Sequence, residues 1–412
     1  MTILQLTILQ LLAAALTSQT LPSDYQLPEG VSWNNVWNEL EQQRLISLVF
    51  PLLEELDIPS EVFSRMERSA RKIALQNYHL FFTAKYLIEK LEKAGIPVVL
   101  LKGNAAGRYY SIPEVRKTSD VDLLLLDRSR EDDANQIFRE AGLITVADQH
   151  ARHHQEWRTT EDIIVELHTD LIESFDEPEA DNCIRQQADR IPVPAQRADI
   201  MGISMPVLPQ AYEAYHLLLH MLQHFVRQGF GIRLLCDWVV FWNRELPTSV
   251  FDEYLALVHE SGIKRFHQVI TSICVRYLGL SSKAGCMQLH AQRLMYSEHA
   301  CFCELIDADE AEHFVEDMFS GGDFGTLDKG RTVSVDNNSL QGYMQQFHRQ
   351  MLYNHPKMGR YFILWPVLWI VTLVVFLRNN RKYKRGSLYT VLKRASQRGS
   401  LHKSLKLFKK DV

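Results

Sequence analysis

Two short apolar runs in this chain each carry acids where apolar residues belong, and that pattern restricts the fold more than any other feature. One is Ser119-Asp-Val-Asp-Leu-Leu-Leu-Leu126 and the other is Ile163-Ile-Val-Glu-Leu-His168. Both are too short for helices and rich in aliphatic residues, so they read as strands of a buried sheet. Side chains alternate across a strand, so Asp120 and Asp122 project from one face. Carboxylates held that close repel each other. Unless they are solvated, they require a cation between them or a proton on one of them. Glu166 is the third acid, and His168 shares its face. The plainer alternative makes Asp120 a solvent-facing strand start, Asp122 an edge residue and Glu166 half of a surface ion pair.

The order of the neighbouring segments weighs against that alternative. Pro97-Val-Val-Leu-Leu101 reads as a strand and leads into a Lys102-Gly103-Asn104 turn, and a basic stretch from Arg116 precedes the aspartates. Gly103 lets the backbone approach an anion closely, and Lys102 and Arg116 would neutralise phosphate charge. Three carboxylates on adjacent strands suit a hard divalent ion, Mg²⁺ (or Mn²⁺), which can clamp a triphosphate and activate a hydroxyl.

The sheet has helical surroundings. Apolar residues recur at helical intervals from Trp33, residues 61–93 contain no breaker, and Gly95 closes that helix. A capping pattern at Ser129-Arg-Glu-Asp132 opens a helix that ends at Gly142. A loop is expected from His150 to Trp157, with strands at 143–148 and 162–168 on either side. Beyond Pro194 the pattern is helical again, including Ala211–Arg227 and Arg233–Trp242, and 319–341 reads as a loop. The fold class is therefore α+β. An N-terminal helical region occupies 1–95, a small mixed sheet 96–175, a C-terminal helical region 176–350, and a hydrophobic and basic tail 351–412.

These segments resemble the nucleotidyltransferase superfamily with the DNA-polymerase-β-like palm, and more narrowly an uncharacterised bacterial nucleotidyltransferase family associated with exopolysaccharide gene clusters. The resemblance runs from about Trp33 to Trp242. It is carried by Ala94-Gly-Ile-Pro-Val-Val-Leu-Leu-Lys-Gly103, Tyr109-Tyr110, Arg116-x-x-Ser-Asp-x-Asp-Leu-Leu-Leu125, His154-x-Glu-Trp157, Val165-Glu-Leu-His168 and Arg233-x-x-x-Asp237. It implies a Mg²⁺-dependent enzyme that moves NMP from an NTP to a hydroxyl acceptor, in polysaccharide or lipid-linked biosynthesis. Asp120, Asp122 and Glu166 would be the catalytic and metal-binding acids. Lys102, Gly103, Asn104, Arg116, Ser119 and His168 would hold the nucleotide. The turn departs from the superfamily's usual Gly-Ser or Gly-Gly, with Asn104 in place of the serine. That departure suits the rival reading, a catalytically silent palm acting as a membrane-associated scaffold or nucleotide-binding protein.

Other residues carry weaker signals. His216, His220 and His224 recur every fourth residue, a spacing that can bind zinc, line a helix seam or face the cleft. His150, His153, His154 and Glu156 suggest a solvated loop. Arg233 and Asp237 suggest an ion pair. The six cysteines, Cys183, Cys236, Cys274, Cys286, Cys301 and Cys303, show no CxxC pair and read as reduced thiols of a cytosolic chain.

Charge divides the chain. Residues 361–412 hold 12 of the 45 Lys and Arg but only one of the 50 acids, Asp411, which leaves the first 360 residues strongly acidic. An acidic folded part argues against a nucleic-acid partner, and the basic tail points to an anionic membrane. Tyr361–Leu377 contains no charge and as a helix would be about 26 Å long, the short limit for a span. Leu388, Val391, Leu392 and Ala395, then Leu401, Leu405 and Phe408, put apolar residues on one face of basic helices. A nucleotide-using domain belongs in the cytosol, so a span would place the basic tail outside, against the positive-inside rule. A peripheral or re-entrant segment at the inner membrane is therefore expected; a single-pass span and a core helix are the alternatives. The apolar start, Met1 to Leu16, reads as an amphipathic first helix, with a signal segment as the minority reading.

Overall fold

The apolar start of the chain folds as helix α1 (Ile3–Leu16), whose first turn is closed by a capping box between Thr2 and Gln5. Ile8, Leu11 and Leu12 of α1 are fully buried, so this segment is built into the core. The computed structural model describes residues 1–145, 154–175, 178–193, 195–227, 229–281, 305–322 and 340–382, and from the tail 401, 404–405 and 407–408. Two short helices follow, α2 (Trp33–Gln42) and α3 (Ile46–Leu53). Helix α4 (Ser60–Lys93) runs 34 residues, about 51 Å at 1.5 Å per residue. It ends at Gly95, whose φ of +68° allows the chain to turn back.

Strand β1 (Val98–Leu100) and the short helix α5 (Lys102–Gly107) come next, then β2 (Val121–Leu125) and α6 (Glu131–Glu140). The chain before α6 is capped by Asp127, which accepts from the Ser129 amide, two residues earlier than the Ser129 pattern suggests. Strands β3 (Ile144–Thr145), β4 (His154–Arg158) and β5 (Ile164–His168) are followed by α7 (Pro178–Ala188), β6 (Gln196–Ile200) and β7 (Ile203–Val207). Among the described residues these seven strands form one mixed sheet, in the order β3-β4-β5-β2-β1-β7-β6.

Two expectations change here. The sheet does not stop at 175: β7 pairs parallel to β1, so 196–207 is sheet rather than helical region. Part of the expected His-rich loop is strand β4, because Trp157 is an apolar anchor, fully buried and 5.5 Å edge-on from Phe138 of α6. His150 and His153 lie outside the described residues.

The remaining helices are α8 (Gln210–Arg227), α9 (Arg233–Trp242), α10 (Thr248–Glu260), α11 (Lys264–Tyr277), α12 (Ala308–Gly321), α13 (Leu340–Asn354) and α14 (Trp365–Lys382). The strand period of two divides the sheet between two cores. Val98, Leu100, Leu123, Leu125, Val165 and Leu167 pack under the second half of α4 and under α6. Val99, Leu101 and Leu124 face the larger core of α1, α3, the first half of α4 and α8–α11. Asp122, Glu166 and His168 alternate with the first set, so they point toward the helical side.

At the C-terminal end, Pro366 sits in the first turn of α14, where its missing N–H costs nothing, and it starts the helix rather than kinking it. Leu368 and Thr372 are buried, but Ile363, Val367, Ile370, Leu373 and Val374 are between 44% and 76% exposed, which rules out the core-helix alternative. No helix among the described residues is long and apolar enough to cross a membrane. Leu405 is fully buried in the large core and Phe408 packs 5.2 Å from Phe175, so these two residues serve the protein interior rather than an interface with lipid. Leu388, Val391, Leu392 and Ala395 lie outside the described residues, as do Cys286, Cys301 and Cys303; Cys183, Cys236 and Cys274 are free thiols.

The large core also holds a buried histidine. His267 Nδ1 lies 2.8 Å from the Tyr254 hydroxyl, and burial pushes its pKa down to about 3. Below the ordinary histidine value the unfolded chain takes up a proton there that the folded chain refuses, so stability falls as pH drops through that window. We expect this residue alone to remove about 2 kcal/mol at pH 5 relative to pH 7. Urea unfolding of His267→Gln should show a shallower pH dependence than the native chain between pH 7 and 5; an unchanged slope would contradict the assignment.

Candidate active site

Parallel pairing of β2 with β5 sets Asp122 beside Glu166, and Leu124 beside His168. Glu166 therefore comes to the aspartates through register. His168 Nε2 lies 2.9 Å from Asp122 Oδ1 and 3.2 Å from Glu166 Oε2, and Lys102 Nζ donates to Asp122 Oδ1 at 3.0 Å. Ligand atoms of Asp122, Glu166 and His168 all fall within 4.8 Å of one another. Asp120 lines the same cavity one step before β2, but His168 stands in the close trio where Asp120 was expected.

Electrostatics follow from burial. Burial alone would raise the Asp122 pKa, but Lys102 and His168 hold it well below the usual carboxylate range. Asp120 moves the other way, raised by burial and by the charge of Asp122. Burial works against the His168 and Lys102 cations, yet the surrounding carboxylates raise both. Ionising Asp120 would add a further negative charge to a wall that is already acidic, and a divalent cation would relieve that repulsion. Two carboxylates and one imidazole on converging strands are a donor set that fits such an ion.

The turn that carries Lys102 is strained. Lys102 adopts φ +33° and Gly103 adopts φ +29° with ψ −117°. A Cβ on Gly103 would lie 2.9 Å from Thr118 Cγ2, so glycine is required both by conformation and by the approach of the next loop. Asn104 departs from expectation. Its amide turns toward the Asn77 carbonyl of α4, and the residue does not line the cavity.

Arg116 departs as well. Its Nε and Nη2 donate to the two oxygens of Asp237, each at 2.7 Å, and Tyr110 donates to the same carboxylate at 2.7 Å. The preceding Tyr109 hydroxyl bonds Glu213 of α8, which also accepts from Arg108 at 2.5 Å. Arg116 touches the cavity, but its planar fork is committed to α9. Asp237 is thus paired with Arg116, while Arg233 donates to the Lys117 carbonyl at 3.1 Å.

The cavity measures about 430 Å³. Lys102, Gly103, Arg116, Ser119, Asp120, Asp122, Glu166 and His168 line it together, so every expected site residue except Asn104 meets there. The far wall is α8, which contributes His216, His220, Gln223, His224 and Arg227. His220 and His224 approach to 3.0 Å between Nε2 atoms, and Glu156 sits in β4 opposite Glu166. Several contributors went unread in the sequence, Gln223 and Asn77 among them. Gln223 lies on the helical stripe of the three histidines, a periodicity that was available to reading. Asn77 carried no signal: it clamps the loop through bonds to the Glu114 and Arg116 carbonyls at 2.6 and 2.7 Å and to the Thr118 amide at 3.2 Å.

A mixed sheet presenting converging acids to a cation-bearing cleft beneath a helical region defines a nucleotidyltransferase-like protein. The chain belongs to the uncharacterised nucleotidyltransferase family, whose model matches residues 29–279 and so spans every residue of the cleft. Among solved structures it is similar to an antigenic nucleotidyltransferase-like protein from Paracoccidioides brasiliensis, at 18% identity over 50% of this chain and 95% of that one, with a TM-score of 0.30. Similarity at that level supports no inference about this chain. No match is found among curated proteins.

The Arg116–Asp237 pair is buried on both sides, so removing one partner strands the other charge. Asp237→Leu should cost about 3–5 kcal/mol in chemical denaturation, and Arg116→Met in the same chain should recover much of it. Equal losses in the single and double variants would contradict this account.

Proposed function

We propose that the cleft transfers NMP from a nucleoside triphosphate to a hydroxyl acceptor with the help of a divalent cation, Mg²⁺ or Mn²⁺. The clustering of Asp122, Glu166 and His168 by strand register carries this reading. These three residues would hold the ion, with Asp120 completing its ligands from the loop side. A bound divalent ion would neutralise triphosphate charge and lower the pKa of the attacking hydroxyl. The acceptor oxygen would bond to the α-phosphorus as the α–β bridging bond breaks, with pyrophosphate leaving and the hydroxyl proton passing to Glu166. Lys102, whose ammonium lies 3.0 Å from Asp122, and Ser119 line the same cavity and would bind the triphosphate. Arg116 would support phosphate binding by shaping the loop, because its guanidinium is committed to Asp237. A lipid-linked or polysaccharide precursor is the acceptor class that the tail supports best.

The exposed apolar side chains of α14 and the basic residues beyond them form an interfacial anchor for an anionic membrane. Apolar side chains there would enter the headgroup boundary while Lys and Arg neutralise lipid phosphate.

Two outcomes test these readings. With Mg²⁺, calorimetry should detect triphosphate binding that Asp122→Asn weakens about tenfold or more. Identical binding by the two proteins would leave a silent scaffold instead. In flotation with phosphatidylglycerol vesicles, Ile370→Glu/Val374→Glu should reduce the bound fraction several-fold. Equal flotation of native and variant chains would overturn the anchor.

A further inference from the structure

The α8 wall of the cavity has a chemistry unlike that of the sheet wall. Residues 216, 220, 223, 224 and 227 form one helical stripe, spaced by four, three, one and three residues, and all face the cavity. His216 is 2% exposed, and its Nε2 has no hydrogen-bond partner among the described residues. The Nε2 amide of Gln223 is likewise buried and without a partner among them. Buried polar atoms are rarely left unsatisfied, and where they are, a ligand is one explanation. Both atoms belong to cavity-lining residues.

The wall is also uncharged at its centre. Burial, reinforced by the positive charge of Lys102, pushes His216 and His224 down to about 3, so they are neutral imidazoles at physiological pH. A neutral imidazole offers one donor and one acceptor, and a carboxamide offers both. Leu171, Ile172 and Leu234 add apolar surface to the same cavity. A hydrogen-bonding edge next to aliphatic faces matches a flat, uncharged nitrogen heterocycle. It does not match a phosphate, which would seek cations rather than neutral imidazoles.

We propose that His216 and Gln223 form the nucleobase subsite, reading the polar edge of the base while Leu171, Ile172 and Leu234 cover its faces. This deepens the nucleotidyl-transfer reading and rests on it. The base lies against α8, the phosphates lie toward Lys102 and Ser119, and the α-phosphorus falls near Asp122 and Glu166. His216 and Gln223 are specificity-determining residues, acting through contact with the base.

The test compares ATP, GTP, CTP and UTP with inorganic tripolyphosphate, which has the charge but no base, by calorimetry with Mn²⁺ present. The native full chain should bind at least one nucleoside triphosphate about tenfold or more tighter than tripolyphosphate. In Gln223→Leu, and independently in His216→Leu, that advantage should shrink about tenfold while tripolyphosphate binding stays within twofold. Thermal melting establishes that each variant is folded, and Gln223→Leu, at the less buried position, stands alone if His216→Leu fails to fold. An undiminished base preference in folded Gln223→Leu overturns the subsite and leaves nucleotidyl transfer standing. So does a native chain that binds all four nucleotides no better than tripolyphosphate. A native chain that binds neither overturns both readings together, and that result is distinct from the other two.

Discussion

The structure turns on a single parallel pairing. When β2 and β5 align, Asp122 and Glu166 become lateral neighbours on the face of the sheet that looks into the helical region. Neither strand can slip by one residue to relieve the repulsion. A slip would carry Leu123, Leu125, Val165 and Leu167 out from under α4 and α6 and expose a whole apolar face. The hydrophobic core thus enforces an electrostatic conflict. His168 and Lys102 answer it from opposite sides of Asp122, and the raised Asp120 marks where the answer stays incomplete. Most of the site's other features either sustain that arrangement or exploit it.

The loop between β1 and β2 shows what sustaining it requires. Lys102 and Gly103 hold strained backbone, and strain of that kind persists only where surrounding structure fixes it. Asn77 binds the loop from α4, Arg116 and Tyr110 bind it to α9 through Asp237, and Tyr109 binds it to α8 through Glu213. The motif residues therefore divide by role. Asp120, Asp122, Glu166, His168 and Lys102 line the cavity. Tyr109, Tyr110, Arg116 and Asp237 hold the sheet and the helical region in one geometry, and removing them would disturb the cleft.

What was legible in the sequence depended on whether the signal was local. Helix α4, strands β1, β2 and β5, and the helices at α8 and α9 follow from period and breakers alone. The acids were readable because a charge inside an apolar strand is locally anomalous. Strands β6 and β7 were not readable, since their pattern is weakly apolar and β7 is fixed by pairing with β1 more than a hundred residues earlier. Strand β4 was hidden by its histidines, although Trp157 hints at a buried position. The partner of Arg116 lies 121 positions away, so its charge looked available for phosphate when it was already committed. Asn104 looked like a phosphate donor because it follows a glycine, yet the direction of its side chain depends on backbone angles that no residue name reveals. In the tail, both the uncharged run that holds Ile370 and the apolar face that holds Leu405 read as membrane-associating, yet Leu405 is buried in the core and Ile370 is exposed on α14.

By bringing Asp122, Glu166 and His168 together, the β2–β5 register would build a cation site. Anomalous diffraction from crystals of the full chain grown with Mn²⁺ tests it most directly. Manganese should appear bonded to all three side chains, with the Lys102 ammonium displaced from Asp122. Strong manganese density elsewhere, with Lys102 still seated on Asp122 and no ion beside Glu166, would contradict it.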